Sequence, residues 1–276
     1  MAKRSSLSPQ ALLRLAKEQR ELENEEIGPL VLAGARRPVT TLARELGKDA
    51  APGSVIQGED LKQAEALVYL LRGKPKKDDL SQLRAAGKAR LPVICVRIDG
   101  ELGALPNVLA TDVIELESGQ PVPVGEIARL LARRLEDRAP ALAARIPALR
   151  GGVCDELIQR SARRAGTIGA ATLIPAPDLP ALFLEQARLV LRLGRAHDRH
   201  LDAKRGAEIA LVLAAGLGLR RLARRVRSET FFPAWAMQSS IAYAGTRALG
   251  QAALRYFSGD WDKLGASDSD RAQASG

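Results

Sequence analysis

The chain has 276 residues, room for one large domain or two ordinary ones, and its 46% apolar but only 3% aromatic composition means cores built from Leu, Ala, Val and Ile. Lys and Arg outnumber Asp and Glu by 42 to 32, a net +10 that favours an anionic partner (nucleic acid, acidic protein or anionic lipid) or reflects a high-GC genome that writes arginine freely. No apolar run approaches the roughly 18 residues of a plain transmembrane helix, a charged rather than apolar segment follows Met1-Ala-Lys-Arg, and Cys95 and Cys154 form no C-x-x-C, so the expectation is a cytoplasmic chain with reduced thiols.

In chain order, residues 1–28 read as a polar arm. Ser8-Pro9 is a cap followed by Pro at a first helical position, Leu12, Leu13, Leu15 and Ala16 give an apolar side, and Glu21 to Glu26 an acidic end. From 29 to 138, short apolar runs alternate with helical patterns. The expected strands are Leu30–Ala33, Ser54–Ile56, Ala66–Leu71, Leu91–Val96 and Val113–Leu116. The expected helices are Pro38–Leu46, Asp78–Lys88 and Val124–Arg138, with a helical turn at Leu61–Glu65. Such alternation implies β-α-β units and a parallel sheet covered on both faces.

Residues 139–152, with Pro140, Pro147 and Gly151-Gly152, read as a linker. From 153 to 257 strand signals cease, and four helical patterns follow: Val153–Ala165, Leu179–His197, Ala203–Arg225 and Ala234–Phe257. The polar segment 258–276 reads as a disordered tail. The fold expectation is α/β: a small parallel-sheet domain followed by an all-helical one.

The organising stretch is Pro29–Leu46, an apolar strand, a turn opening on Gly34, and an amphipathic helix. This is the frame of a phosphate-binding loop, G-x-x-x-x-G-K-[ST] between strand and helix. Gly34 holds the first glycine and Thr41 the final hydroxyl, but Val39 replaces the second glycine and Thr40 the lysine. A Cβ stands where close approach wants glycine, Pro38 removes one N–H, and Thr40 brings no positive charge. Arg36 or Arg37 offers charge from another direction.

A resemblance enters at residues 172–257. Thr172-Leu-Ile-Pro-Ala-Pro-Asp178, Leu189–Gly194, Ala214–Arg225, Ala242-Tyr-Ala-Gly-Thr-Arg-Ala-Leu-Gly250 and Arg255-Tyr-Phe257 resemble an uncharacterised helical domain that accompanies GTPase-like domains in bacteria. Its members are described as membrane-associated, so the resemblance implies a helical fold and an association, without a reaction. The preceding region resembles a shrunken GTPase domain: Glu65–Gly73 is similar to the strand after the second switch, and Val96-Arg97-Ile98-Asp99 lies where the guanine-reading N-K-x-D element falls, with Asp99 matching. The resemblance would make Gly34, Thr40, Thr41 and Asp99 the nucleotide contacts for GTP or ATP with Mg²⁺. No D-x-x-G metal motif lies between Gly47 and Glu65, and Asp99-Gly100 also reads as a plain turn.

Arg220, Arg221, Arg224, Arg225 and Arg227 follow the apolar run Ile209–Leu219. One reading is a helix that rests in the lipid boundary with its arginines on anionic head groups; a second is contact with a nucleic-acid backbone; a third is the solvated end of a packed helix. Gly216, Gly218, Ala242, Gly245, Ala248 and Gly250 offer close-approach surfaces in lipid or in water. His197-Asp-Arg-His200 places two imidazoles on one helix face without a third ligand, so no metal site is assigned, and no nucleophile–base pair marks a catalytic centre. The expected function is a non-catalytic interaction protein, a degenerate GTPase-like domain with a basic helical domain that meets a membrane surface or a GTPase partner. The alternatives are weak nucleotide binding through the altered loop and nucleic-acid binding through the arginine run.

Overall fold

The computed structural model describes residues 26–100, 103–171, 179–199 and 234–259. The chain divides into two compact units, Asn24–Glu156 and a second made of Met1–Glu23 with Leu157–Gly276. In the first, β1 (Leu30–Gly34), β2 (Val55–Gln57), β3 (Ala66–Arg72), β4 (Val93–Ile98) and β5 (Val113–Leu116) form one sheet in the order β2-β1-β3-β4-β5, every pair parallel. Helices α1 (Arg36–Leu46), α2 (Lys77–Lys88), α3 (Val124–Leu135) and α4 (Ala139–Arg145) surround it. This is the doubly wound order whose reversal of direction falls between β1 and β3.

The strands are apolar along their whole length because both faces are covered. Val31, Ala33, Leu67, Tyr69, Leu71, Val93 and Cys95 share one core cluster with Leu83 and Ala86 of α2. The alternate residues Leu30, Leu32, Val68, Leu70, Ile94 and Val96 are also buried and face the other way. The apolar stripes of α1 (Val39, Leu42, Leu46) and α3 (Ile127, Leu130, Leu131, Leu135) are buried as well. The β2–β3 crossover, residues 58–65, contains a turn and no helix; Leu61 and Ala64 from it pack on the α2-side cluster.

Several element boundaries differ from the sequence reading, four of them for a plain physical reason. Helix α1 starts at Arg36, not Pro38, because a proline lacking its N–H is tolerated throughout the first turn, where those N–H groups have no intrahelical acceptor. Strand β4 runs through Arg97 to Ile98: the arginine is buried beside Glu115 of β5, its Nη1 3.1 Å from the carboxylate, and donates from Nη2 to the Gly103 carbonyl at 2.9 Å. The span 124–138 divides into α3 and a 3₁₀ turn at Glu136–Arg138, where Glu136 has φ +50°. The span 139–152, read as a linker, is α4, a 3₁₀ turn at Pro147–Leu149 and the start of α5 (Arg150–Ala171), with Pro140, Ala141, Leu142, Ala143, Ile146 and Leu149 buried.

Three arginines at the end of α3 and just after it hold buried carboxylates of this unit. Arg133 meets Glu156 at 3.0 Å, Arg134 meets Asp112 through Nε at 2.6 Å, and Arg138 meets Glu65 at 2.7 Å. Glu65 also accepts from the Gly28 N–H, and Arg145 donates to the Ile27 carbonyl, so the chain leading into β1 is tied from two sides. Four arginines of this unit therefore serve as internal clamps.

In the second unit the described helices are α5 beyond Leu157, α6 (Leu179–Ala196) and α7 (Ala234–Ser258). They approach closely through small residues. A Cβ on Gly169 of α5 would sit 2.8 Å from the Gln238 carbonyl and 3.0 Å from the Ala242 methyl, and one on Gly250 of α7 would sit 2.7 Å from Ile158. Gly245, expected at such a contact, has open space around it, and Ala248 is exposed. Two buried polar pairs cross the helices: the Ser161 hydroxyl donates to Glu185 at 2.9 Å, and the Gln186 amide to the Thr246 hydroxyl at 3.1 Å. Among the described residues no helix is long and apolar enough to cross a membrane.

Candidate functional site

Ligands of doubly wound sheets sit beyond the carboxyl ends of the strands at the reversal point. Here that place is bounded by the β1–α1 turn and the β3–α2 turn, which the register Gly34↔Leu70 sets side by side. A single residue, Ala35, separates the end of β1 from the start of α1. Gly34 turns with φ +107°, and any Cβ there would collide with the Leu70 carbonyl oxygen, so glycine is required for close contact with β3. The Ala35 N–H donates to that carbonyl at 2.7 Å.

The expected phosphate frame is thus spent on structure. Val39 lies within α1 and is buried in its apolar stripe. The Thr40 hydroxyl donates to the Arg36 carbonyl at 2.9 Å, a bond back to the preceding turn, and Thr41 is exposed on the helix. A phosphate cradle needs several successive N–H groups free to converge on an anion. A strand-to-helix passage of one residue, its N–H already bonded, leaves no such loop.

Asp99 follows β4, two strands from β1 along the sheet. It adopts φ +50°, its N–H donates to Leu116 at 3.0 Å, and its Oδ1 accepts the Ser118 N–H at 2.7 Å. One carboxylate oxygen therefore shapes the turn after β5. Arg97, which the sequence reading set at the basic position of a guanine-reading element, is buried against Glu115 and Gly103.

No protein-family model matches the chain, and no curated protein matches it in sequence.

The second turn, Arg72–Lys77, is held as firmly. The Gly73 N–H donates to Ile98 at 2.9 Å, and the Lys76 N–H to Asp79 Oδ2 at 2.7 Å. The other oxygen of Asp79 accepts the buried Tyr69 hydroxyl at 2.6 Å. Burial raises the ionisation of Tyr69 well above its ordinary value, and the Asp79 bond raises it further, so the phenol stays neutral. Cys95, across β4 from Tyr69, is pushed up to about 12 by burial, with Arg97 acting the other way; burial pushes Cys154 up to about 12 as well. Both thiols are neutral core groups rather than nucleophiles.

At this edge stand Arg36 and Arg37, named above as charge from another direction, with two cations that the motif reading passed over. Arg36, Arg37, Arg72 and Lys77 are exposed, and among the described residues their side chains make no hydrogen bond or ion pair. Arg36, Arg37 and the Arg72–Lys77 run were each visible in the sequence; that they follow neighbouring strand ends depends on β3 lying beside β1.

The other candidates are less informative. Arg220, Arg221, Arg224, Arg225, Arg227 and His200 lie outside the described residues. His197, just after α6, stacks on Phe257 with ring centroids 6.1 Å apart. Among the described residues no group of three or more His, Cys, Asp or Glu side chains is placed to hold a metal ion.

Proposed function

We propose that this chain is a non-catalytic interaction protein. Its α/β unit keeps a nucleotide-hydrolase sheet as a rigid docking body, and its basic helical region, through Arg220, Arg221, Arg224, Arg225 and Arg227, holds it against a GTPase partner or the anionic inner face of the cell membrane. It works in the cytoplasm, peripheral to that membrane, and needs no bound nucleotide. The observation that carries this reading is the one-residue passage from β1 to α1 with the Ala35 N–H bonded to Leu70. Pro38 at the third helical position, the Thr40 hydroxyl turned back on its helix and Asp99 engaged at Ser118 support it.

The unpaired Arg36 and Arg37 favour the alternative of weak nucleotide binding. Thermal unfolding with Mg²⁺ and GTP or ATP separates the two: the reading expects no shift at about millimolar nucleotide, whereas tight binding raises stability by mass action. A saturable rise abolished by Arg36→Ala would replace docking with nucleotide binding. Flotation with anionic vesicles tests the membrane arm; protein that floats at low salt, and stays at the bottom when the five arginines are replaced by Gln, supports it, and wild type at the bottom refutes it.

A further inference from the structure

We infer that the carboxyl edge of the sheet, at the β1–α1 and β3–α2 turns, is a docking surface for an acidic polypeptide segment. The inference rests on the docking reading above and adds the place and the partner's chemistry. The cations that define the surface are Arg36, Arg37, Arg72 and Lys77.

Three observations select this edge. The first is the contrast between arginines. Arg97, Arg133, Arg134 and Arg138 are engaged by carboxylates of their own unit, whereas Arg36, Arg37 and Arg72 are exposed and unengaged; Arg44, Arg84, Arg90 and Arg129 are so too, but they do not follow the paired ends of β1 and β3. The second is rigidity. The Ala35 N–H bond to Leu70, the Gly73 N–H bond to Ile98 and the Lys76 N–H bond to Asp79 fix both turns on the sheet, so the cations are presented from a preorganised base. The third is charge balance: Asp79 is engaged, accepting from Tyr69 with one oxygen and from Lys76 N–H with the other, and Asp78 is the one exposed acid in 72–78 against Arg72, Lys74, Lys76 and Lys77.

The chemistry of the edge chooses among anions. A compact phosphate wants converging N–H groups, and the Ala35 N–H is already bonded. Single-stranded nucleic acid wants aromatic platforms, and neither 34–37 nor 72–77 contains an aromatic residue. A membrane surface wants an apolar side chain to insert, and the large apolar residues exposed in the described chain are Ile56, Leu109 and Tyr256, none of them in these turns. Guanidinium groups spread over two adjacent turns suit carboxylates spaced along a chain, which Arg engages with paired donors.

The test uses the full chain and a fluorescein-labelled peptide alternating Glu and Asp with Gly, followed by anisotropy. Binding is expected, weakening steeply as salt rises from about 50 to about 300 mM. The double variant R36E/R37E, and separately R72E/K77E, should each lose about tenfold or more in affinity, while R84E/K88E, the same charge change on the exposed side of α2, should lose under about threefold. Circular dichroism confirms that each variant is folded; should R36E/R37E fail it, R72E/K77E decides alone. No binding by wild type, or equal losses in all three variants, overturns the inference, the second by showing net charge alone. A labelled oligonucleotide or phosphatidylserine vesicles binding more tightly than the peptide, with loss in R36E/R37E, overturns the polypeptide assignment. None of these failures touches the nucleotide titration on which the docking reading stands.

Discussion

The two units are held together in opposite ways. The α/β unit fills the space between sheet and helices with Leu, Ile, Val and one Tyr, and pins its rim with arginine–carboxylate pairs. The described helices of the second unit meet through Gly166, Gly169, Gly250 and Ala242, and set buried polar pairs between them. A large-residue core fails when volume is removed, and a small-residue seam fails when volume is added. The same substitution logic therefore has opposite signs in the two units.

The largest expected effect follows from the first half of that contrast. Leu42→Ala, at a fully buried position of α1, should destabilise by about 2–5 kcal/mol in urea unfolding, whereas Ala248→Gly on the exposed side of α7 should cost about 1 kcal/mol or less. The second half predicts that Gly250→Leu, forced onto Ile158, costs about 1–3 kcal/mol or more, and that Gly245→Leu, with open space around it, is far milder. Equal costs at Gly250 and Gly245 would mean that the seam is not where the geometry puts it.

The rim pairs come next. Arg138→Ala removes the guanidinium that faces the buried Glu65 carboxylate, so a loss of about 1–3 kcal/mol is expected, and adding Glu65→Gln should recover part of it. The two thiols give a smaller, pH-dependent effect. Their ordinary value of 9.0 rises to about 12 in the fold. Above pH 9 the unfolded chain gives up these protons before the folded one does, so stability falls as pH climbs toward 12, and it is indifferent to these groups below 9. Cys95→Ala with Cys154→Ala should flatten that alkaline limb, measured by urea midpoints across the range.

How much was legible follows from the reach of each signal. β1, β3 and β4 stood out because strands covered on both faces are apolar without alternation. The helical stripes Val39, Leu42, Leu46 and Ile127, Leu131, Leu135 were readable for the same local reason. Arg97 hid the end of β4, since its buried guanidinium is explained by Glu115 on the neighbouring strand and the Gly103 carbonyl, neither of which the local pattern reveals. The burial of Glu65, Asp112 and Glu156 was not readable, because their arginine partners are distant in sequence. Gly169 escaped notice and Gly245 drew it, since glycine spacing along one helix does not say what lies opposite.

The candidate site was legible as a frame and not as a geometry. Strand, Gly34 and helix were all in the sequence, but Pro38 suggested a longer turn than the single residue that exists. Arg36, Arg37, Arg72 and Lys77 become one surface only when the strand order sets β3 against β1.

The central claim is that the turn after β1 is closed on β3. Its most direct measurement is the amide of Ala35, followed by NMR hydrogen exchange while Mg²⁺ and GTP are added. The account predicts a protected amide whose exchange rate and chemical shift do not change with nucleotide up to about millimolar concentration. An Ala35 amide that exchanges freely without nucleotide, and shifts saturably with it, would mean a turn open to phosphate and would contradict the account.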